Sequence, residues 1–471
     1  MTTRDWRSED ANTACESPAP LALRRKLGFA VGDFGLNLYW QSINLFLLYF
    51  YTDVFKISAW WAGTIFFLAS IWDGAADPLV AILADRTNSR FGSYRPYLLF
   101  GAIPLACAFV AAFSHPGFSG AALIVYALVM HIALRTAYTV LNIPYAALSA
   151  RMPANVEDRT SMVGYRMQFA YLGALTVTFL LPVLVQKFGG DDTAVGYRTA
   201  AACIGALSVA VFLLCFFGTS EAKHSGTERS GLGTWRDLLQ DARGFFHIAR
   251  HSRVLLRVLA ALALFSIALT FFHKNLVYLL KYEFARLDML QYILPLCALA
   301  NLIVIPLWVQ VIHRYGKRAA WIAGSAVMIA GLFSLYLVPR DMFALAVLVL
   351  VVISAGSGAH AVCIWSLLPD VVDEHGRRFG RRDEAKVFGL WSFLQKVTVG
   401  ASAMLLGVLL GEIGLVADAA QSDATLRGLR TIMCLLPILC LTASALVLFF
   451  LRMPTDPLYV RRASPIGARS K

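Results

Sequence analysis

Two aspartates four residues apart, Asp73 and Asp77, stand in the stretch Ser70-Ile71-Trp72-Asp73-Gly74-Ala75-Ala76-Asp77-Pro78, inside a long apolar run. On a helix such a pair stacks on one face, one turn apart. Carboxylates that close repel each other unless a cation lies between them or one keeps its proton. Oxygen donors suit a hard ion such as Na+, so Asp73 and Asp77 would be the metal ligands in that case; a shared proton suits H+. Pro78 frees a backbone carbonyl nearby that can act as a further ligand. A surface pair bound to loop arginines is the alternative, but Asp85 and Arg86 already mark the surface, and Asp77 lies about two turns deeper.

Other polar residues repeat at helical spacing within apolar runs. One stripe is Asp33, Asn37, Gln41 and Asn44; a second is His131, Arg135, Tyr138, Thr139 and Asn142. Tyr165, Arg166 and Gln168, His273-Lys274-Asn275, and Gln395-Lys396 add three more. Polar stripes can simply glue helices together. Stripes on five separate runs are better explained by a shared wet cavity, because each buried charge costs a few kcal/mol on insertion scales and needs a partner or a task. The alternative for Lys274 is a side chain that snorkels outward, and for His131 an ordinary packed histidine.

The elements that must hold these residues are membrane-spanning helices. Of 471 residues, 58% are hydrophobic and 15% charged, far less charge than a soluble chain of this length carries. Apolar blocks of about 20 residues can cross a bilayer. They fall at 28–51, 60–84, 96–113, 119–148, 162–187 and 198–218, then at 254–282, 289–312, 319–338, 341–368, 385–411 and 428–451. The sequence therefore predicts an all-α membrane protein with twelve transmembrane helices. Its divisions are a cytoplasmic N-terminal segment (1–27), a six-helix bundle (28–218), a cytoplasmic linker (219–253), a second six-helix bundle (254–451) and a cytoplasmic tail (452–471). Basic turns follow the second span (Ala84-Asp85-Arg86, then Arg90, Gly92 and Arg95) and the eighth (His313-Arg314-Tyr315-Gly316-Lys317-Arg318), a weak internal echo of the two halves.

Net charge is +13. With both termini in the cytoplasm, about 30 of the 42 Lys and Arg fall on the cytoplasmic side and about 8 on the other. That is the positive-inside asymmetry of a membrane protein, compatible with contact to anionic lipid and not a nucleic-acid footprint. Residues 1–20 have no signal-peptide pattern. Seven of the eight Cys lie in apolar spans and none forms a CxxC pair, so neither disulfides nor a metal site is expected. At the inner face Asp370 and Asp373 stand near Arg377, and the first half offers Arg90, Arg95 and Arg159. These charges are expected to form breakable inner-gate salt bridges in the outward-open state, with simple positive-inside topology as the alternative. No nucleophile–base motif or metal cluster points to an enzyme.

Several stretches carry a family resemblance. They are Gly32-Asp33-Phe34-Gly35-Leu36-Asn37, Tyr49-Phe50-Tyr51-Thr52-Asp53-Val54, Ile71-Trp72-Asp73 to Asp77-Pro78, Ser89-Arg90-Phe91-Gly92-Ser93-Tyr94-Arg95-Pro96, Asn142-Ile143-Pro144-Tyr145 and Asp370-Val371-Val372-Asp373. Through them the chain resembles the melibiose permease family, the glycoside–pentoside–hexuronide:cation symporters of the major facilitator superfamily. The WD-x3-DP pattern is the most specific match.

The resemblance implies a major facilitator fold and cation-coupled symport of a sugar, glycoside or uronide by a functional monomer in a bacterial inner membrane, with no cofactor. It implies that Asp73 and Asp77 bind the coupling cation with Thr139 beside them, and that Lys396 is close by. Candidate solute contacts are Asn37, Gln41, Asn44, Arg135, Tyr138, Asn142, Arg166, Lys274, Trp391 and Lys396. The chain departs from the family in four ways. Asn37 and Asn142 replace two sugar-binding carboxylates, Ala146 replaces a stacking aromatic, Met167 aligns with an arginine that appears one place early as Arg166, and Ala76 replaces an amide beside the cation pair. The last change removes an oxygen and tilts the reading from Na+ toward H+. Four deep cations (Arg135, Arg166, Lys274 and Lys396) against Asp73 and Asp77, with Asp33 nearer the inner end, suggest an anionic solute. If Lys396 neutralises the aspartates, Lys274 snorkels and Arg166 belongs to the loop, a neutral sugar fits instead.

Two other readings stay open. Leu367 to Asp373 and Ala385 to Phe393, which contains Trp391, also resemble a sodium-dependent lysophospholipid branch of the superfamily. A receptor or scaffold that retains the fold without transport is a more distant alternative.

Overall fold

The computed structural model describes residues 21–87, 89–152, 156–190, 192–221, 253–379 and 384–450. Among them are twelve long helices and no strand. Helix α1 begins as Leu23–Ser42 and continues through π turns at Ile43–Leu47 and Phe50–Val54. Then follow α2 (Ala59–Arg86), α3 (Arg95–Ala112), α4 (Gly120–Arg151), α5 (Val156–Gly189) and α6 (Thr193–Gly218). The second half contains α7 (Arg253–Tyr278, extended by a π turn at Leu279–Glu283), α8 (Leu290–Tyr315), α9 (Lys317–Leu337), α10 (Phe343–Phe379), α11 (Glu384–Glu412) and α12 (Asp423–Phe449).

Eleven of these, α2 to α12, are long and apolar enough to cross a membrane. Helix α1 falls short in composition because Arg24, Arg25, Lys26 and Asp33 lie in its first stretch. It packs along α5 and α6 all the same. The chain is a multi-pass membrane protein. Helices are the spanning solution here because hydrocarbon offers backbone N–H and C=O groups no other partners.

The helices outrun the apolar blocks. Helix α1 starts at Leu23, so the basic cluster expected in an N-terminal segment up to residue 27 forms its first turn. Helix α6 starts at Thr193, five residues before the expected 198, where the Asp192 carboxylate accepts from Ala194 N and Val195 N. Helix α12 starts at Asp423 behind a Ser422 cap instead of at 428. Helix α10 runs to Phe379, eleven residues past the apolar block. Polar ends continue a helix into interfacial water without breaking its hydrogen bonding, and hydropathy cannot register that. Most of the expected linker (222–252) and the tail lie outside the described residues.

Packing repeats between the halves. Helix α1 packs on α5 and α6, and α7 on α11 and α12; α3 packs on α4 and α6, and α9 on α10 and α12; α2 meets α4 as α8 meets α10. Contacts between the halves are α2 with α11, α5 with α8, and α1 with α7. Moving every helix six places along exchanges the first two pairs and returns the third to itself, as a two-fold between bundles requires. The α2–α11 seam is close enough to need glycine. A Cβ on Gly63 would stand 2.7 Å from Ala403 O, and one on Gly400 would stand 2.5 Å from the Cβ of Ser70. The site is built along this seam.

Candidate coupling and solute site

Asp73 and Asp77 share the face of α2 that meets α4 of the same half and α11 of the other. The Asp73 side chain is 1% exposed and that of Asp77 21%. From α4, Thr139 points its hydroxyl at both, 2.8 Å from Asp73 Oδ1 and 3.3 Å from Asp77 Oδ1. From α11, Lys396 Nζ lies 2.5 Å from Asp77 Oδ2 and 3.3 Å from Asp73 Oδ1. Arg135 Nη1 lies 3.5 Å from Asp73 Oδ2. The aspartates are thus held between two cations, one from each half. Such a cluster is tolerable in a membrane because each charge has an opposite partner in contact. Thr139 has one proton for two carboxylate oxygens, so both contacts can be good hydrogen bonds only if the second carboxyl is itself protonated and donates. Ala76, buried beside the pair, adds no oxygen.

From the α1 stripe Asp33 and Trp40 meet α4, Asn37 lies close to Gly173 of α5, and Asn44 meets α7. Asn37, Gln41 and Asn44 are half-buried. Asn37 Nδ2 donates to Asp33 O at 3.0 Å and Asn44 Nδ2 to Trp40 O at 2.9 Å, one turn back in each case. Trp40, on the same stripe, has its ring centroid 6.1 Å from that of Tyr138. The Arg135 guanidinium lies 5.5 Å from the Trp40 ring centre. Asn142 is half-buried, and Ala146 one turn on is exposed. Trp391 on α11 is buried.

Lys274 does not snorkel outward. It is 2% exposed, donates to Asn44 O at 3.1 Å and lies 4.0 Å from the Phe66 ring centre. Beside it His131 is fully buried and accepts from Arg135 Nε at 3.4 Å. Arg135 Nη2, His131 Nδ1 and both amide atoms of Asn275 are buried without a partner.

Arg166, expected as a solute contact, is paired with Asp33. Its Nε and Nη2 both donate to Asp33, which also accepts from Tyr145 OH at 2.9 Å. Asp33 is the nearer carboxylate, and the pair neutralises itself within the first half. Three cations (Arg135, Lys274, Lys396) then stand against two carboxylates (Asp73, Asp77) in this region of the interior.

The inner-gate contacts among the described residues lie within one half or the other. Asp370 pairs with Lys317 at 2.7 Å inside the second half. Arg95 donates to Phe216 O at 2.8 Å and lies over the Phe216 ring, tying α3 to α6. Arg90 is exposed, over Phe91. The side chains of Arg159, Asp373 and Arg377 lie outside the described residues.

A different polar seal joins the halves at the end opposite the described chain termini, the distal end. There the π turns of α1 and α7 meet. Asp53, whose side chain is 1% exposed, accepts from Lys281 Nζ at 2.7 Å and from Tyr282 OH. Thr52 Oγ1 donates to Asp53 Oδ2 at 2.8 Å and meets Tyr278 OH at 2.7 Å. Lys281 also reaches Asp418, at 3.2 Å.

Sequence reasoning missed Trp40 and this seal. Trp40 is three residues from Asn37 and four from Asn44, so its spacing carried the signal. Asp53 lay in a recognised stretch, but Lys281 gave no sign of its partner 228 residues away.

The family model described as "MFS/sugar transport protein" matches residues 28–455. An uncharacterized symporter, YnaJ, of Bacillus subtilis (strain 168) is 29% identical over 440 residues, covering 92% of this chain and 93% of its own. A putative glycoside/cation symporter, YagG, of Escherichia coli (strain K12) is 28% identical, covering 93% of each chain. Among solved structures, the nucleoside transporter NupG superposes with a TM-score of 0.65 at 14% identity, over 91% of this chain and 100% of its own; this likeness concerns the fold.

Proposed function

Because this chain belongs to the MFS/sugar transport protein family, we propose that it is a cation-coupled symporter that moves a negatively charged sugar derivative by alternating access. The observation that carries the reading is the contact of Lys396, on the second half, with the Asp73–Asp77 pair on the first. A coupling cation that reaches these aspartates competes with the lysine ammonium for the same oxygens. Ion occupancy is thereby linked to the contact between the bundles, which is what coupling ion binding to rocking requires.

The ion reading favours H+. Asp73, Asp77 and Thr139 bring five side-chain oxygens to the pair, of which Arg135 and Lys396 already contact three, leaving fewer free than the six or so that a hard cation generally takes. A proton needs one carboxyl, and a proton on Asp77 supplies the donor that the second Thr139 contact lacks. The solute reading follows from charge. With Arg166 committed to Asp33, the cavity still holds Arg135, Lys274 and Lys396 against Asp73 and Asp77. Protonating one aspartate leaves the wall more positive. A carboxylate or sulfonate on the solute offsets that charge, and Arg135 has one buried amino group, Nη2, without a partner.

In this reading the distal end faces outward and the termini face the cytoplasm of a bacterial inner membrane, in line with the positive-inside distribution. The sealed distal end then corresponds to a state closed to the outside.

The test is uptake into proteoliposomes of methyl glucoside against methyl glucuronide, by wild type and by Arg135→Gln. Wild type should prefer the uronide, and the variant should lose that preference by about tenfold or more, as expected for a desolvated charge-assisted contact. A wild-type preference for the neutral glycoside, unchanged in Arg135→Gln, refutes the anionic solute. No uptake of either refutes the sugar reading.

A further inference from the structure

We propose that the indole of Trp40 is the platform on which the solute's pyranose ring lies, so that this α1 residue supplies the stacking surface absent at Ala146. The inference rests on the sugar reading above and specifies how this chain meets the ring. A sugar ring presents two kinds of surface: faces of C–H groups, which pack on aromatic rings, and an equatorial rim of hydroxyls, which needs hydrogen-bond partners. The neighbourhood of Trp40 offers both.

Trp40 is half-buried, like the amides Asn37, Gln41 and Asn44 that flank it on the stripe. The other large apolar side chains nearby on α1, Phe29, Leu36, Leu38 and Tyr39, are fully buried, and Trp40 is not. Three residues before it and four after it, Asn37 and Asn44 both turn their NH2 groups back to α1 carbonyls. The carbonyl ends of both amides are thereby available to accept, one turn to either side of the indole, from hydroxyls on a ring's rim. Arg135 stands over one face of the indole, its guanidinium carbon 5.5 Å from the ring centre. It holds the ring plane on one side and can donate to an acidic substituent on the other. Tyr138, at 6.1 Å, extends the aromatic surface across to α4. One turn past Asn142, α4 presents only the exposed methyl of Ala146, so the aromatic surface of this wall comes from Trp40 and Tyr138.

The arrangement makes a ring-specific demand. An open-chain acid of the same charge still meets Arg135 but has no C–H face to lay on the indole. Removing the indole should therefore weaken pyranosides and spare open-chain acids, whereas general damage to the cavity weakens both.

The experiment compares wild type, Trp40→Ala, Trp40→Leu and Trp40→Phe in proteoliposomes, with KM and maximal rate measured for methyl glucuronide and inhibition of that uptake measured for gluconate. Thermal unfolding without solute reports whether each variant folds as wild type does. Trp40→Leu retains apolar bulk and guards against collapse of the alanine variant. The expected result is a KM for methyl glucuronide raised about tenfold in the Ala and Leu variants, a factor equal to about 1.4 kcal/mol. In Trp40→Phe it should rise less, because a smaller ring remains. Maximal rates and gluconate inhibition should stay near wild type. An unchanged KM in Trp40→Leu, or equal losses for glucuronide and gluconate, overturns the platform. Wild type that takes up neither hexoside nor uronide overturns the sugar reading and the platform with it.

Discussion

Lys396 Nζ of α11 lies 2.5 Å from Asp77 Oδ2 of α2, so an ammonium from one bundle occupies the carboxylates of the other. The protein carries its own counter-ion for the coupling site. It also carries a competitor that the coupling ion must displace.

Removing either carboxylate should uncouple transport. Asp73→Asn and Asp77→Asn are each expected to lower concentrative uptake by at least about tenfold while retaining measurable solute exchange, because the charge the ion neutralises is gone but the Trp40–Arg135 wall is not. Uptake driven by an imposed gradient, compared with exchange at equal concentrations, separates the two. Wild-type accumulation in both variants would remove the cation-site assignment.

Replacing Lys396 by methionine leaves two carboxylates with Arg135 as their only other contacting cation among the described residues. Breaking one side of a buried ionic cluster costs about 3–5 kcal/mol. The variant should therefore unfold at lower temperature than wild type at high pH without Na+, and recover more than wild type when the coupling ion is supplied. Thermal melts across pH and Na+ concentration check this; parallel curves for the two proteins would mean that the ion and the lysine do not compete.

The ion itself is decided by uptake in Na+-free medium with an imposed pH gradient, inside alkaline. Uptake is expected there. Silence under those conditions, relieved by Na+, would transfer the coupling role to sodium.

Asp53 and Lys281 should hold the distal closure. Asp53→Asn removes the charge but keeps the shape, and should increase labelling from outside of a cysteine placed at Asn44, about two turns deeper. Charge exchange, Asp53→Lys with Lys281→Asp, should restore part of the protection lost in either single variant, by the logic of a double-mutant cycle. Equal labelling in all four proteins would leave the pair without a gating role.

Most of the scaffold was legible in the sequence because hydrocarbon imposes a strong rule: apolar blocks must be helices, and buried charges must be few and partnered. Helical spacing put Asp73 and Asp77 together, and the family resemblance, not that rule, put Thr139 beside them. The rule failed where a residue's partner was set by packing alone. Nothing in the spacing of Arg166 distinguished a guanidinium aimed at solute from one bound to Asp33, which lies on another helix. Lys274 could equally have reached outward, and only the carbonyl of Asn44 and the Phe66 face show where it points. Trp40 was overlooked for a different reason: an aromatic in an apolar span looks like packing until its neighbours on the same face prove to be amides.

The π turns of α1 set how the two ends of that helix relate. Asp53 is sixteen residues beyond Asn37, which in a regular α-helix would set it about 160° around the axis, on the side opposite Asn37. Each π turn takes in one residue more than an α turn, so Ile43–Leu47 and Phe50–Val54 together rotate it back by about 200°. The helix behaves as two lever arms joined by a fixed phase shift, one arm bearing the solute face and the other the outer bolt. Forcing 43–47 into a regular α turn at unchanged length would leave Asn37 and Trp40 where they are and swing the bolt about 100° off its strike, giving a carrier that still recognises its cargo but no longer shuts behind it; deleting one residue there would instead keep both arms in phase.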